Sequence, residues 1–150
     1  MMKVVYFLLA TLVLIADRLS KYAALIWCQE RYVINNYISF DVAFNRGISW
    51  GFFHSHSNYF FILVSLVIAA ITVAVAYQAL PRYQQGALIV GEVLVIAGSV
   101  SNLFDRAYYH GVIDFIELSY GLYVWPIFNI ADMCIVAGVG IMFMEYYRHE

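Results

Sequence analysis

Four apolar blocks divide the chain, at about 4–27, 59–80, 86–104 and 129–147. Each is close to the roughly 20 residues that a helix needs to cross hydrocarbon. Between the second and third, "PRYQQ" predicts a tight polar turn. Two longer and more polar segments, about 28–58 and 105–126, join the remaining blocks. With four spans, both termini share one side and both long segments share the other. In the first long segment, "YISFDVAF" alternates Ile38, Phe40, Val42 and Phe44 with Tyr37, Ser39, Asp41 and Ala43. That period of two predicts a strand with one apolar face, with "INN" and "NRG" as flanking turns. The expected fold is an all-α membrane protein: one domain over residues 1–150, four transmembrane helices, and a small β-sheet subdomain on the face of the long segments.

Composition excludes an ordinary soluble domain. The chain is 64% hydrophobic and 12% charged, with a mean hydropathy of +0.78. The net charge of −2 is not gathered into a patch, and nothing points to nucleic acid. Lys3, Arg82 and Arg148 on the terminal side balance Arg31, Arg46 and Arg106 on the other, so positive charge does not orient the chain. Trp27, Trp50 and Trp125 lie in or beside the long segments, as in an interfacial aromatic belt. The first block reads as a retained helix, because "ADRLSK" follows without a small-residue cleavage site. Nor is "LIWC" an acylation box, since Trp27 stands where a small residue is needed. Cys28 and Cys134 are not expected to form a disulfide.

The polar residues of the spans carry the candidate chemistry. Asp17 and Lys21, four apart, share a helix face and neutralise each other. Asn102, Asp105 and Arg106 close the third block, with Asp105 and Arg106 read as an ion pair. Asn129 and Asp132 open the fourth block, where a cap and a first-turn acid suit the helix dipole. Asp114, in "GVIDFI", has no base within three positions. One segment joins the ends of blocks three and four, so Asn102, Arg106, Asp114, Asn129 and Asp132 converge on one membrane face. Isolated structural roles do not account for that convergence. Two aspartates without metal ligands suggest a dyad in which one carboxyl holds a proton and the other deprotonates water. His54 and His56 in "HSH" lack a third ligand, and Cys134 has no histidine along its helix, so neither metal nor thiol chemistry is favoured. No cofactor is expected.

"ADRLSK", "FNRG", "SNLFDR", "VIDF" and "FNIAD", in this order over nearly the whole chain, resemble the lipoprotein signal peptidase (signal peptidase II) family. The resemblance implies an aspartic endopeptidase of the bacterial inner membrane, with both termini cytoplasmic and the active site and sheet at the periplasmic face. It implies cleavage of the signal peptide from diacylglyceryl-modified prolipoproteins, contact with membrane lipid, and sensitivity to globomycin-type inhibitors. The catalytic pair falls on Asp114 and Asp132. Asn45, Gly47, Asn102, Asp105, Arg106, Asn129 and Ala131 match substrate-binding or supporting positions, and Asp17 and Lys21 match the first-helix pair.

The chain departs from the family pattern at several places. Ser99 and Ser101 precede Asn102, Ser49 and Trp50 follow "NRG", and the glycine before Asp114 shifts to Gly111, leaving His110 in its place. Glu92 stands inside the third block. Two other readings compete. One is a non-catalytic relative that binds lipidated peptides, against which both aspartates argue. The other is a small proton-coupled carrier using Asp17, Glu92 and Asp132, whose polar groups should line a path through the bilayer.

Overall fold

The computed structural model describes residues 2–47 and 58–148. Four long helices, α1 (Met2–Trp27), α2 (Asn58–Gln84), α3 (Val90–Tyr109) and α4 (Ile130–Arg148), carry a small sheet of β1 (Tyr32–Val33), β2 (Ile38–Asn45), β3 (Val112–Tyr120) and β4 (Tyr123–Val124). The strands lie in the order β1-β2-β3-β4, every neighbour antiparallel. The expected Ser49, Trp50, His54 and His56 lie outside the described residues.

Polarity runs inside-out. On α1 the buried residues are Tyr6, Val13, Asp17, Lys21 and Ala24, while Phe7, Leu8, Leu12, Ile15 and Leu19 are exposed. On α3 the buried face includes Glu92, Ser99, Ser101, Asn102, Asp105 and Arg106. A surface this apolar calls for a lipid-like surrounding. Among the described residues, two helices are long and apolar enough to cross a membrane: α2, with a mean hydropathy of 2.7, and α4, with 1.5 over Ile130–Tyr147. α1 instead carries Lys3, Asp17, Arg18 and Lys21, and α3 carries Glu92, Asp105 and Arg106.

Several expected boundaries move. α2 continues through Pro81 to Gln84, and the turn falls at Gln85 and Gly86, where Gly86 takes φ 81°. The third helix begins at Val90 and runs to Tyr109, so Asp105 and Arg106 lie within it. The segment after it contains two strands where only a polar connection was expected. His110 caps α3 in the left-handed region, φ 58°, a conformation better suited to glycine. The predicted turns hold as Asx turns. Asn35 Oδ1 accepts from the backbone N–H of Tyr37 and Ile38, and Asn45 Oδ1 from that of Gly47.

The simple alternation of β2 does not survive. Phe40 faces Ile116 and Ala43 faces Asp114, so three steps on β2 match two on β3 and a bulge lies between. One extra residue reverses which side chains share a face. Phe44 therefore falls on the face of Ser39, opposite Phe40, and is exposed where Ser39 is buried. Asn45, paired with Val112, joins the face that carries Asp114.

α3 is the hub, packed against α1, α2 and α4. Its approach to α4 depends on absent side chains. A Cβ on Gly98 would lie 2.6 Å from the Ala131 carbonyl oxygen, and one on Gly138 would lie 2.5 Å from that of Gly91. Backbone cannot yield as a side chain can, so only small residues allow this crossing. Gly98→Val is expected to lower stability by about 1–3 kcal/mol in thermal unfolding in detergent. Gly140, with nothing within 4 Å of its added Cβ, should tolerate alanine within the error of the same measurement.

Candidate active site

The site is built outward from one ammonium. Lys21 Nζ, buried on α1, donates to Asp17 Oδ2 at 2.7 Å, Asp105 Oδ2 at 2.7 Å and Asn102 Oδ1 at 2.8 Å. An ammonium has three donors and no acceptor, and all three are used. Arg18 adds a second cation, 2.6 Å from Asp105 Oδ1 and 3.3 Å from Asp17 Oδ2. Two acids and two bases therefore neutralise one another in a buried cluster. The i, i+4 pair expected of Asp17 and Lys21 is present, but as part of a larger network. The expected pairing of Asp105 with Arg106 is not. Adjacent helical residues do not face each other, and Asp105 turns to Lys21, Arg18 and the backbone N–H of Ile113. Arg106 donates to the Gly47 carbonyl and lies over the Phe61 ring.

The start of α4 is fixed by a capping box. Asn129 Oδ1 accepts from the Asp132 backbone N–H at 2.9 Å, and Asp132 Oδ2 accepts from that of Asn129 at 3.3 Å. Asp17 Oδ1 takes the Ala131 N–H at 2.9 Å, which ties α4 to α1. Ser101, a departure from the family pattern, donates to Asp17 Oδ2 at 2.6 Å. These contacts absorb first-turn N–H groups that would otherwise lack partners.

Asp114 and Asp132 line a common cleft of about 290 Å³ on the face of α3 between α2 and α4. Asn102 Nδ2 donates to Asp132 Oδ1 at 2.8 Å. Asn129 Nδ2 donates to Asp114 Oδ1 at 2.6 Å, and Asn45 Nδ2 to Asp114 Oδ2 at 3.0 Å. Asn45, Ser99, Asn102 and Arg106 also line the cleft at this end. The rest of it is apolar: Ile68, Ile71 and Val75 from α2, Val95 from α3, and Ile135, Val139 and Met142 from α4.

Burial pushes the Asp114 carboxyl up to about 7, and the charge of Asp132 adds to the rise. The donors from Asn45 and Asn129 and the charge of Lys21 work against it. Near neutral pH the Asp114 carboxyl is therefore about half protonated. Among the described residues no cluster of three His, Cys, Asp or Glu is placed to hold a metal.

The structure brings Asp17, Lys21, Asn45, Gly47, Asn102, Asp105, Arg106, Asp114, Asn129, Ala131 and Asp132 together on the network or the cleft. Glu92 is apart from them. It sits in the first turn of α3, paired with Arg82, whose other nitrogen is 2.7 Å from Glu145 Oε2. Sequence reasoning gave Arg18 no role, because nothing in "ADRLSK" shows that its side chain reaches Asp105, far along the chain. It also missed the bond from Ser39 to Glu117, 2.7 Å long, which Arg31 joins from outside the sheet.

The family model described as signal peptidase (SPase) II matches residues 9–148. A lipoprotein signal peptidase of Dichelobacter nodosus is 32% identical over 145 residues, covering 95% of this chain and 94% of that protein. One of Clostridium acetobutylicum is 33% identical over 133 residues, covering 83% and 82%. A bacterial membrane enzyme solved in meso at 2.3 Å superposes with a TM-score of 0.76 at 27% identity, covering 96% of this chain and 88% of that one. A second, solved at 1.9 Å, gives 0.71 at 27% identity, covering 95% and 92%.

Two outcomes follow from the electrostatics. Because the folded Asp114 carboxyl titrates near 7, against 3.8 as its ordinary value, the folded protein binds more protons between those limits. Its contribution to stability is complete below about pH 4 and is lost as pH rises through 7. Relative to Asp114→Asn, the wild type should therefore lose up to about 1.4 kcal/mol per pH unit in unfolding measured from pH 4 to 7, and no more above. Lys21→Met should cost about 3–5 kcal/mol, seen as loss of folded protein on extraction, since it leaves two buried carboxylates to share the half-buried Arg18 alone.

Proposed function

The chain belongs to the signal peptidase II family, and on that premise we propose that it removes signal peptides from diacylglyceryl-modified prolipoproteins by aspartic dyad catalysis. One observation carries this reading: Asp114 and Asp132 open into the same cleft, linked by Asn129, which donates to the first and caps the helix turn of the second. In this proposal α1 to α4 all span the bacterial inner membrane, both termini are cytoplasmic, and the sheet and dyad stand at the periplasmic face.

The chemistry follows from the asymmetry of the pair. Asp132 lies in the first turn of α4, where the helix dipole favours a carboxylate, and receives N–H bonds from Asn102 and Asn129. It is the general base that takes a proton from the attacking water. Asp114, buried and with its pKa raised to about 7 so that it can hold a proton near neutrality, is the acid that supplies a proton as the amine departs. Arg106 and Asn45 stand where the peptide enters. The Nε and Nη1 of Arg106 are buried with no hydrogen-bond partner among the described residues, donors suited to a peptide carbonyl. Asp17, Lys21 and Asp105 act at one remove, by fixing Asn102 and Ala131. Globomycin-type inhibitors would occupy the same cleft.

A cleavage assay on a lipidated precursor in vesicles tests the proposal. Asp114→Asn and Asp132→Asn should each lower kcat by at least about 100-fold, the low end of what a positioned acid or base contributes. Both variants should remain inserted, and wild-type turnover in either would end the assignment. Asp105→Asn should lose folded protein more than turnover per folded molecule. Chelators should leave the rate unchanged; loss on chelation with recovery in zinc would bring His54 and His56 back into account.

Asn45→Ala removes a donor that holds the Asp114 pKa down. The alkaline limb of the pH–rate profile should therefore move to higher pH. Arg46 instead donates to Asn58 Oδ1 at 2.6 Å, so Arg46→Ala should leave that limb where it is.

A further inference from the structure

Asp132 lines a second cavity as well as the cleft. This groove, of about 370 Å³, lies against α4 and is formed by Trp125, Phe128, Asp132, Met133, Val136 and Ala137. At about 100° per residue, Asp132 sits at the boundary between two stripes of α4. Ile135, Val139 and Met142 run down one side of it, into the cleft. Met133, Val136 and Ala137 run down the other. Two apolar channels thus diverge from one catalytic carboxylate, separated by the helix that bears it.

A substrate cut beside a diacylglyceryl cysteine also has two apolar arms at the cleaved residue: the signal segment and the acyl chains. The polarity of the walls assigns them. A peptide carries N–H and C=O groups that need partners at the point where it opens for cleavage. The cleft supplies Asn45, Ser99, Asn102 and Arg106 there. Acyl chains need no such partners, and the groove offers no polar side-chain group beyond Asp132 and the indole of Trp125. Resting on the peptidase reading, we infer that the groove of Trp125, Phe128, Met133, Val136 and Ala137 is the acyl-chain site, and that the signal segment takes the α2 side of α4.

Photo-crosslinking separates this from its alternatives. Asp114→Asn protein in nanodiscs is mixed with a precursor carrying a diazirine midway along its acyl chains, or with one carrying it in the apolar signal segment. The acyl probe should label Met133 to Ala137 at least tenfold more than Ile68 to Val75, and the peptide probe should do the reverse. Acyl label on α2, or spread evenly over both helices, would overturn the assignment. Cleavage of the same precursors by the wild type is read separately, so a failure of the peptidase reading is distinguishable from a misplaced acyl site. As a second measure, Ala137→Phe should narrow the groove and raise kcat/KM for an eight-carbon diacyl precursor over a sixteen-carbon one by at least tenfold. An equal loss on both precursors would show a structural effect only and refute the groove's role.

Discussion

The ammonium of Lys21 is the constraint from which the site follows. With three donors and no acceptor, it forces the carbonyl oxygen of Asn102 toward itself. The amide nitrogen of Asn102 then has one direction left, toward Asp132. The same device recurs twice. Asn129 spends its oxygen on the Asp132 N–H, and Asn45 spends its oxygen on the Gly47 N–H, so each turns its nitrogen to Asp114. Three asparagines, each oriented by a donor on one side, present N–H groups to two carboxylates. A side-chain amide is well suited to this, since fixing one end fixes the polarity of the other.

The cost of two aspartates beside hydrocarbon is met locally. Asp132 serves as the acid of a capping box, so the helix that carries it would need a comparable group there in any case. A structural account and a catalytic one are therefore not rivals at this position. Asp114 is different, because the ladder of β3 gives its side chain no such role. Its own burial raises its pKa to about 7, so that near neutral pH a large share of it holds a proton. The bulge in β2 completes the arrangement by bringing Asn45 onto the face of Asp114. Without that extra residue, Asn45 would project from the opposite side of the sheet.

Much of this was legible in the sequence, for reasons that can be named. The Asn-x-x-Asp spacing at Asn129 and Asp132 is a local helix-start signal and does not depend on tertiary structure. Asp17 and Lys21 share a face by helical periodicity alone. The four apolar blocks gave the helices, with ends that erred where polar residues face inward. The apolar block at 86–104 ends before Asp105 and Arg106, whereas α3 runs on through them to Tyr109 and buries both. Their supposed mutual pair failed because sequence adjacency is not spatial adjacency on a helix. The bulge was hidden by a regular alternation that looked sufficient, and Lys21 reaches its third partner 81 residues away.

The distribution of charge also bears on the carrier reading. The buried polar groups of α3 fall into two sets, Glu92 at its start and Ser99 to Arg106 toward its end. Between them, Val93, Leu94, Val95, Ile96, Ala97 and Gly98 offer no polar side chain. At about 1.5 Å per residue, that interval is roughly 10 Å of apolar helix. Glu92 is committed to Arg82, which also holds Glu145, so three helices are tied at the end remote from the dyad. A proton-coupled carrier would need its acids joined by side chains or water along one path. Here one set braces the helices and the other surrounds a cleft, and no polar side chain of α3 between Glu92 and Ser99 joins the two.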